Sequence, residues 1–505
     1  MRADASQLFL SSIVVDRSSS TSLAQQVYDI VRNAIIEGQL RPGTRIPSTR
    51  ALAVHLRVAR NTVSSAFDQL TAEGYLTGRV GSGTTVSESL PEDLLGVQRR
   101  LERRVRLSKR GAVLASTPDL SSPYPRPRPF VTGVPDISEF PFGVWLKLIA
   151  KHWRSPLMSM VCTTDPSGYQ PLREAIAFYL RAARGLNCEP DQVLIVSGSR
   201  QGVDLCARLL VDRGDYVLME DPGYPGARYT LQAAGAELIP VDIDHSGAVV
   251  PPNDCPAKLV FLTPSHQFPL GMTMPLERRT AWLQWAERNR AWIVEDDFDS
   301  EYRYAGHPQP AMQGLDRAGR VIYAGTFSKT LFPALRIGFL VLPEQLVTPF
   351  RRARSIIDGF PAILQQAVLA DFIDSGHFGR HVRKMRAIYE ERRSALFESA
   401  AEHLARRLEL APCHSGMHTV GWLAGPESEQ AICDAAASVG IYMRPVSSCC
   451  IRPMNRAGVL LGFATTRPAD IRNAVWRLAD VLQHRSWTSS PPVLSPEAEW
   501  SLAGD

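Results

Sequence analysis

Lys329 is one of six lysines in a chain that carries 50 arginines. It lies in the small-residue stretch Gly325-Thr-Phe-Ser-Lys-Thr330, directly after the strand-like run Val321-Ile-Tyr323. A lysine in a partly enclosed turn of this kind can keep its amine reactive and form a Schiff base with a carbonyl compound. A phosphate-bearing aldehyde at that amine would need hydroxyls, backbone N–H groups and an arginine nearby, and Arg336 lies seven residues on. Upstream, Glu295-Asp-Asp-Phe-Asp299 closes a strand with several acids. A buried carboxylate there would keep a pyridinium nitrogen protonated and make the ring an electron sink. Ser197-Gly-Ser-Arg200 lies between a strand and a helix, where exposed amides bind phosphate. Tyr224, in Asp221-Pro-Gly-Tyr-Pro225, offers a ring for stacking. Each group alone reads more readily as a solvated loop or a surface residue than as a functional one; their joint occurrence in this order points to chemistry.

The elements that must position these groups alternate. The apolar runs Val193-Leu-Ile-Val196, Tyr216-Val-Leu-Met219, Leu259-Val-Phe-Leu262, Trp292-Ile-Val-Glu295 and Val321-Ile-Tyr323 recur with helical stretches between most of them. Such alternation predicts a mainly parallel sheet in an α/β domain, here over 130–485, with a smaller C-terminal α+β part from about 375. A tail, 486–505, would follow. Before the domain, 89–129 shows no periodic pattern and ends in Ser121-Ser-Pro-Tyr-Pro-Arg-Pro-Arg-Pro129. Alternate prolines disfavour helix, so this basic, Pro-rich stretch reads as an extended linker.

The first segment, 20–88, has a different grammar. Leu23, Val27, Ile30, Val31 and Ala34 form one apolar helical stripe that Gly38 ends. Ser48 is a plausible cap for a short helix carrying Leu52 and Leu56 inward. A turn through Arg57-Val58-Ala59 leads to a third helix whose Val63, Ala66, Phe67 and Leu70 face a core. Two extended pieces, Tyr75 to Val80 and Thr84 to Val86, flank Gly81-Ser82-Gly83. This is the outline of a winged helix-turn-helix, whose third helix enters the DNA major groove with its N-terminal residues at base edges. Arg60 and Asn61 suit base reading, with Thr62 beside them. Ser48, Arg50 and Arg79 suit phosphates, and Gly81 and Gly83 shape the wing.

Charge supports the division. The chain carries 56 Lys+Arg against 51 Asp+Glu, net +5, and the first 110 residues alone hold 16 basic against 10 acidic side chains. All the excess therefore sits in the N-terminal fifth, as expected of a nucleic-acid-binding appendage on a neutral body. Eight cysteines show no CxxC pair, and Cys413, His414 and His418 lack the spacing of a structural zinc site, so neither a disulfide framework nor a metal is expected. No apolar run is long enough to span a bilayer. The first twenty residues carry Asp4 and Asp16 without an apolar signal core. A cytoplasmic protein with no membrane partner is expected.

The run Leu40-Arg-Pro-Gly-Thr-Arg-Ile-Pro-Ser-Thr-Arg50, then Arg60-Asn-Thr-Val63, then Gly81-Ser-Gly-Thr84, resembles the DNA-binding domain of the GntR family of bacterial regulators. Ala59 departs from it, where the family often has a capping Ser. The order of Ser197–Arg200, Glu220-Asp-Pro-Gly-Tyr224, Thr263-Pro-Ser-His-Gln-Phe-Pro269, Glu295–Asp299 and Lys329 resembles pyridoxal-phosphate (PLP) enzymes of fold type I, the aspartate aminotransferase class. Together the two halves resemble the MocR subfamily of GntR regulators. The resemblance implies PLP as cofactor, Lys329 as its Schiff-base lysine and Asp296 as partner of the pyridine nitrogen. It places Thr326, Ser199, Arg200 and Arg336 on the phosphate and Tyr224 on the ring.

Three departures bear on activity. Phe298 stands where many relatives have a Tyr that bonds the ring hydroxyl. Thr163 stands where they often have a Tyr that reaches the partner subunit's phosphate. Leu460, in Val459-Leu-Leu-Gly-Phe-Ala464, stands near the usual substrate-carboxylate arginine, a role open to Arg444 or Arg452. The resemblance implies a PLP-dependent regulator that binds promoter DNA as a head-to-tail homodimer and senses PLP or an amine or amino-acid effector. A working aminotransferase with an accessory DNA-binding domain is the alternative, and a body that has lost its cofactor and only dimerises is a third.

Overall fold

The computed structural model describes residues 13, 15–17, 19, 21–79, 83–89, 107–118, 128–154, 162, 165–306, 309–360 and 362–484. The chain divides into two compact units, Met1–Arg106 and Leu107–Asp505.

In the first unit the Ser22 hydroxyl accepts from the Gln25 N–H at 3.3 Å and caps α1 (Leu23–Ile36). Ser48 does the same for α2 (Thr49–Leu56), accepting from the Ala51 N–H at 3.2 Å. Arg57, in the left-handed region at φ 54°, ends α2 and turns the chain toward α3 (Arg60–Ala72). Val27 and Val31 of α1, Leu52 and Leu56 of α2, and Val63, Phe67 and Leu70 of α3 meet in one buried core. β1 (Leu76–Arg79) and β2 (Gly83–Val86) then pair antiparallel, with Leu76 opposite Val86. Three helices and a hairpin are the expected winged helix-turn-helix.

In the second unit the Ser108 hydroxyl caps α4 (Lys109–Ala115), accepting from Gly111 N–H at 3.0 Å. The stretch expected as an unpatterned linker thus contains a helix, which at seven residues is too short to show a periodic signature. After α5 (Phe142–Arg154) and α6 (Gln170–Arg184) comes the main sheet. Its strands are β3 (Val193–Val196), β4 (Tyr216–Asp221), β5 (Glu237–Asp244), β6 (Gly247–Ala248), β7 (Leu259–Leu262), β8 (Trp292–Asp297), β9 (Val321–Thr326) and β10 (Gly338–Val341). They lie in the order β3-β10-β9-β8-β7-β4-β5-β6. β9, β8, β7, β4 and β5 are parallel, and β10 runs antiparallel to both its neighbours. Every residue of β3 and β7 is buried, which explains their uninterrupted apolar sequence: a sheet covered on both faces has no solvent side to alternate with.

The covering and connecting helices are α7 (Ser199–Leu210), α8 (Pro225–Ala234), α9 (Leu276–Asn289), α10 (Met312–Leu315) and α11 (Glu344–Ile357). α7 begins at Ser199, so Ser199 and Arg200 stand in its first turn rather than between strand and helix. α12 (Ile363–Asp374) and α13 (His377–His403) lead to a four-stranded antiparallel sheet. It comprises β11 (Leu408–Leu410), β12 (His418–Leu423), β13 (Arg444–Pro445) and β14 (Gly458–Gly462), in the order β11-β12-β14-β13. With α14 (Glu429–Ser438) and α15 (Pro468–His484) it forms the smaller C-terminal part. Tyr389 and Leu396 of α13 and Ile471, Val475 and Leu478 of α15 share its core. The C-terminal ends of β3, β4, β7, β8 and β9 open on one edge of the main sheet, the edge where α/β proteins hold ligands. No helix of the described residues is long and apolar enough to cross a membrane.

Candidate functional site

Two sets of groups were expected to act, one in each unit. In the first unit, Arg60 and Asn61 are exposed and Thr62 half-exposed in the opening turn of α3. Ala59 precedes them and gives no side-chain cap among the described residues; the Thr62 N–H donates instead to the Ala59 carbonyl at 3.0 Å. Ser48 and Arg50 are exposed at the start of α2. Gly83 opens β2 at φ 86°, and a Cβ there would meet Arg45 Nε at 2.9 Å, so the wing needs glycine at this position. Arg79 belongs to β1; its side chain and Gly81 lie outside the described residues.

In the second unit all seven expected groups, Lys329, Asp296, Tyr224, Ser199, Arg200, Thr326 and Arg336, line a single cavity of about 390 Å³, within the usual range for small-molecule sites. The sheet explains the convergence. β8 delivers Asp296, β9 delivers Thr326 and the turn bearing Lys329, and the ends of β3 and β4 deliver Ser199, Arg200 and Tyr224. Gly198 caps α7 at φ 95°, and a Cβ there would lie 3.2 Å from Arg336 Nη1. A guanidinium and the free amides of a helix start therefore share one corner, a fit for a phosphate dianion. Arg200 Nε donates to the Tyr224 hydroxyl at 3.3 Å.

At the other end of the cavity Asp296 is buried, and its Oδ1 has no hydrogen-bond partner among the described residues. Burial first, and then the neighbouring Asp297, push its carboxyl up to about 7. An orphaned buried carboxylate oxygen is costly unless a ligand supplies the donor. A protonated ring nitrogen is such a donor. Lys329 Nζ donates to the Gly133 carbonyl at 2.7 Å; burial lowers its amine, while Asp299 and Asp296 act against that. Phosphate corner, orphaned acid and enclosed amine together fit a phosphorylated pyridine aldehyde.

Sequence reasoning left several wall residues without a place. Arg444, which β13 carries by pairing with β14 opposite Leu460, lines the cavity. Arg452 does not: it bonds Asp221 at 3.0 Å and Asp242 at 2.5 Å on the far side of the β4 end. Phe298 is in the wall, and Leu460 is fully buried in β14. Thr163 lies outside the described residues. Asp299, His418, Thr263 and Tyr442 also line the cavity; only their nearness in the fold identifies them. The thiol of Cys413 donates to the carbonyls of Ser415 and His418.

Comparison with known proteins agrees with this layout. A model of the bacterial regulatory proteins of the gntR family matches residues 23–86, and one of aminotransferase class I and II matches residues 159–478. A Rhizobium meliloti protein named "Probable rhizopine catabolism regulatory protein MocR" is 42% identical over 466 residues, covering 92% of this chain and 94% of its own. The chain belongs to the MocR-type transcriptional regulators of the GntR family. This MocR-type chain is also 32% identical over 471 residues to the HTH-type pyridoxine biosynthesis transcriptional regulator PdxR of Corynebacterium glutamicum, covering 93% and 97% of the two chains. Among solved structures it resembles a multiple substrate aminotransferase from Thermococcus profundus, with TM-score 0.67 and 26% identity over 75% of this chain and 97% of that one. The expected fold class, a winged helix-turn-helix followed by a fold type I PLP domain with a mainly parallel sheet, is the one the chain has, and PLP is the cofactor its second unit implies.

Proposed function

We propose that this MocR-type regulator binds promoter DNA through its first unit and that occupancy of the cavity in its second unit, by PLP and then by an amine or amino-acid effector, alters that binding. The observation that carries the reading is the orphaned Asp296 carboxylate, sharing a cavity with the Lys329 amine and the phosphate corner. In this reading Lys329 attaches the cofactor and Asp296 accepts from its ring nitrogen. Ser199, Arg200, Thr326 and Arg336 bind its phosphate, and Tyr224 covers its ring. PLP supplies electron-sink chemistry at an amine-bearing carbon. Around it, Asp296 holds a proton at the ring nitrogen, Arg336 neutralises phosphate charge, and Tyr224 limits water at one ring face. Arg444 is the group in this cavity suited to a carboxylate, because a planar guanidinium can grip both oxygens.

In the first unit, Arg60 and Asn61 read base edges and Ser48, Arg50 and Arg79 hold phosphates, with Thr62, Gly81 and Gly83 completing the face. Two such units in a head-to-tail homodimer would read paired half-sites. An effector changes DNA affinity only through differential binding to two conformations, so the filled cavity has to favour one of them. The alternative, a turnover aminotransferase, draws on Arg444 in the cavity; sustained amino-group transfer to a keto acid would favour it.

Borohydride reduction tests the cofactor assignment. Wild-type protein incubated with PLP should retain the label after denaturation, mapped to the peptide containing Lys329. Lys329→Ala should retain none while its first unit stays folded. A reduced adduct in that variant would overturn the assignment.

A further inference from the structure

Asp299 and His266 form a buried pair at the cavity wall that the assignments above leave unused. His266 Nδ1 and Asp299 Oδ1 are 2.8 Å apart, and each residue is 2% exposed. Asp299 lines the same cavity as Lys329. Its turn is fixed to the lysine turn: the Tyr302 N–H donates to the Asp299 carbonyl at 3.1 Å, and the Tyr302 hydroxyl donates to the Lys329 carbonyl at 3.4 Å. The C-terminal part closes over the pair. Gly416 N–H donates to the Tyr302 carbonyl at 2.7 Å, and a Cβ on Gly416, at φ 82°, would lie 1.9 Å from His266 Cε1. The His418 ring, from β12, sits 5.2 Å from His266 and lines the cavity itself.

We propose that Asp299, oriented by His266, is the anionic partner of the amine centre at Lys329, a positioning residue that holds the cationic form of that centre where Phe298 offers no hydroxyl. Asp296 cannot serve both ends of the cavity if it accepts from the ring nitrogen, and the other acids of the segment are spoken for. Asp297 is bonded by Arg184 at 2.7 Å, and Glu295 accepts from the Met312 and Gln313 amides. Asp299 is also the first charge that raises the Lys329 amine against burial, ahead of Asp296, while Arg200 and Arg444 oppose it. On the Asp299 side, the further ionisable neighbours are Asp296, Glu301, Tyr302 and Tyr304 from its own stretch of chain and His418 and Cys413 from the C-terminal part.

The proposal rests on PLP attachment at Lys329, so borohydride labelling of wild type comes first: without a label the attachment and the proposal fall together, and with a label the titration that follows tests Asp299 alone. With the label confirmed, the absorbance of the PLP-loaded protein is followed against pH for wild type, Asp299→Asn and Asp299→Glu. An opposite charge favours the protonated amine centre. Loss of the charge in Asp299→Asn should therefore lower the midpoint by about one pH unit or more, and Asp299→Glu should stay near wild type. An unmoved midpoint in Asp299→Asn overturns the proposal. If Asp299→Asn holds no PLP while Asp299→Glu does, the charge is what matters and the proposal stands. If both variants lose PLP, Asp299 serves packing alone and the proposal fails.

Discussion

Arg184 Nη2 lies 2.7 Å from Asp297 Oδ2, both side chains almost wholly buried, and the Tyr323 hydroxyl donates to the same oxygen at 2.7 Å. The acid immediately after Asp296 is thus held by a structural cation. Replacing Asp297 by Ala would leave the Arg184 guanidinium buried without its counter-charge, a loss of about 3–5 kcal/mol. Chemical denaturation should show it, and Arg184→Met in the same chain should recover part of it. A neutral Asp297→Ala would contradict this structural role.

Asp296 predicts a pH effect of definite sign. Burial raises its carboxyl from 3.8 to about 7 in the cofactor-free fold. Between those values the folded state holds more protons than the unfolded one, so its stability contribution falls as pH rises from about 4 to about 7. Buried Glu220 and half-buried Glu301, also raised to about 7, act in the same direction. The melting temperature of PLP-free protein should therefore decline across that window, and Asp296→Asn should flatten the decline. An unchanged slope in the variant would argue against a raised Asp296.

Ala59 leaves the start of α3 uncapped. Ala59→Ser should stabilise the first unit by about 1 kcal/mol, read as a higher denaturation midpoint. Arg60→Ala should weaken binding to the specific operator by about 1–3 kcal/mol if Arg60 contacts a base edge. Equal weakening on every sequence would make it a phosphate contact instead.

Arg444 gives the effector its test. Hydrogen bonds to a charged group are worth about 1.5–3 kcal/mol, so Arg444→Ala should weaken the response to a carboxylate-bearing amine about tenfold or more. The response to a simple amine should be unaffected. Equal loss for both ligands would place the carboxylate elsewhere.

Much of this site is legible in the sequence because its parts are local. Thr326 ends one strand with Lys329 three residues on and Arg336 seven residues beyond that, Asp296 lies near the end of another, and Ser199 and Arg200 follow a third. A parallel sheet brings such strand ends to one edge. Arg444 is not legible in the same way. It enters the cavity through the pairing of the two-residue β13 with β14, a long-range contact that no periodicity announces, whereas Arg452 is drawn off by Asp221 and Asp242. The His266–Asp299 pair joins loops after two different strands, and its cover by Gly416 depends on the C-terminal part. α4 escapes sequence reading because seven residues give fewer than two full repeats of a helical stripe.

The most direct measurement of the central claim is a DNA-binding titration at fixed salt. It would use the gene's own upstream region against random DNA, with and without PLP, for wild type and Lys329→Ala. The account predicts specific binding by both proteins, with an affinity that shifts on adding PLP in wild type alone. Specific wild-type binding that ignores PLP, or an equal shift in Lys329→Ala, would contradict it.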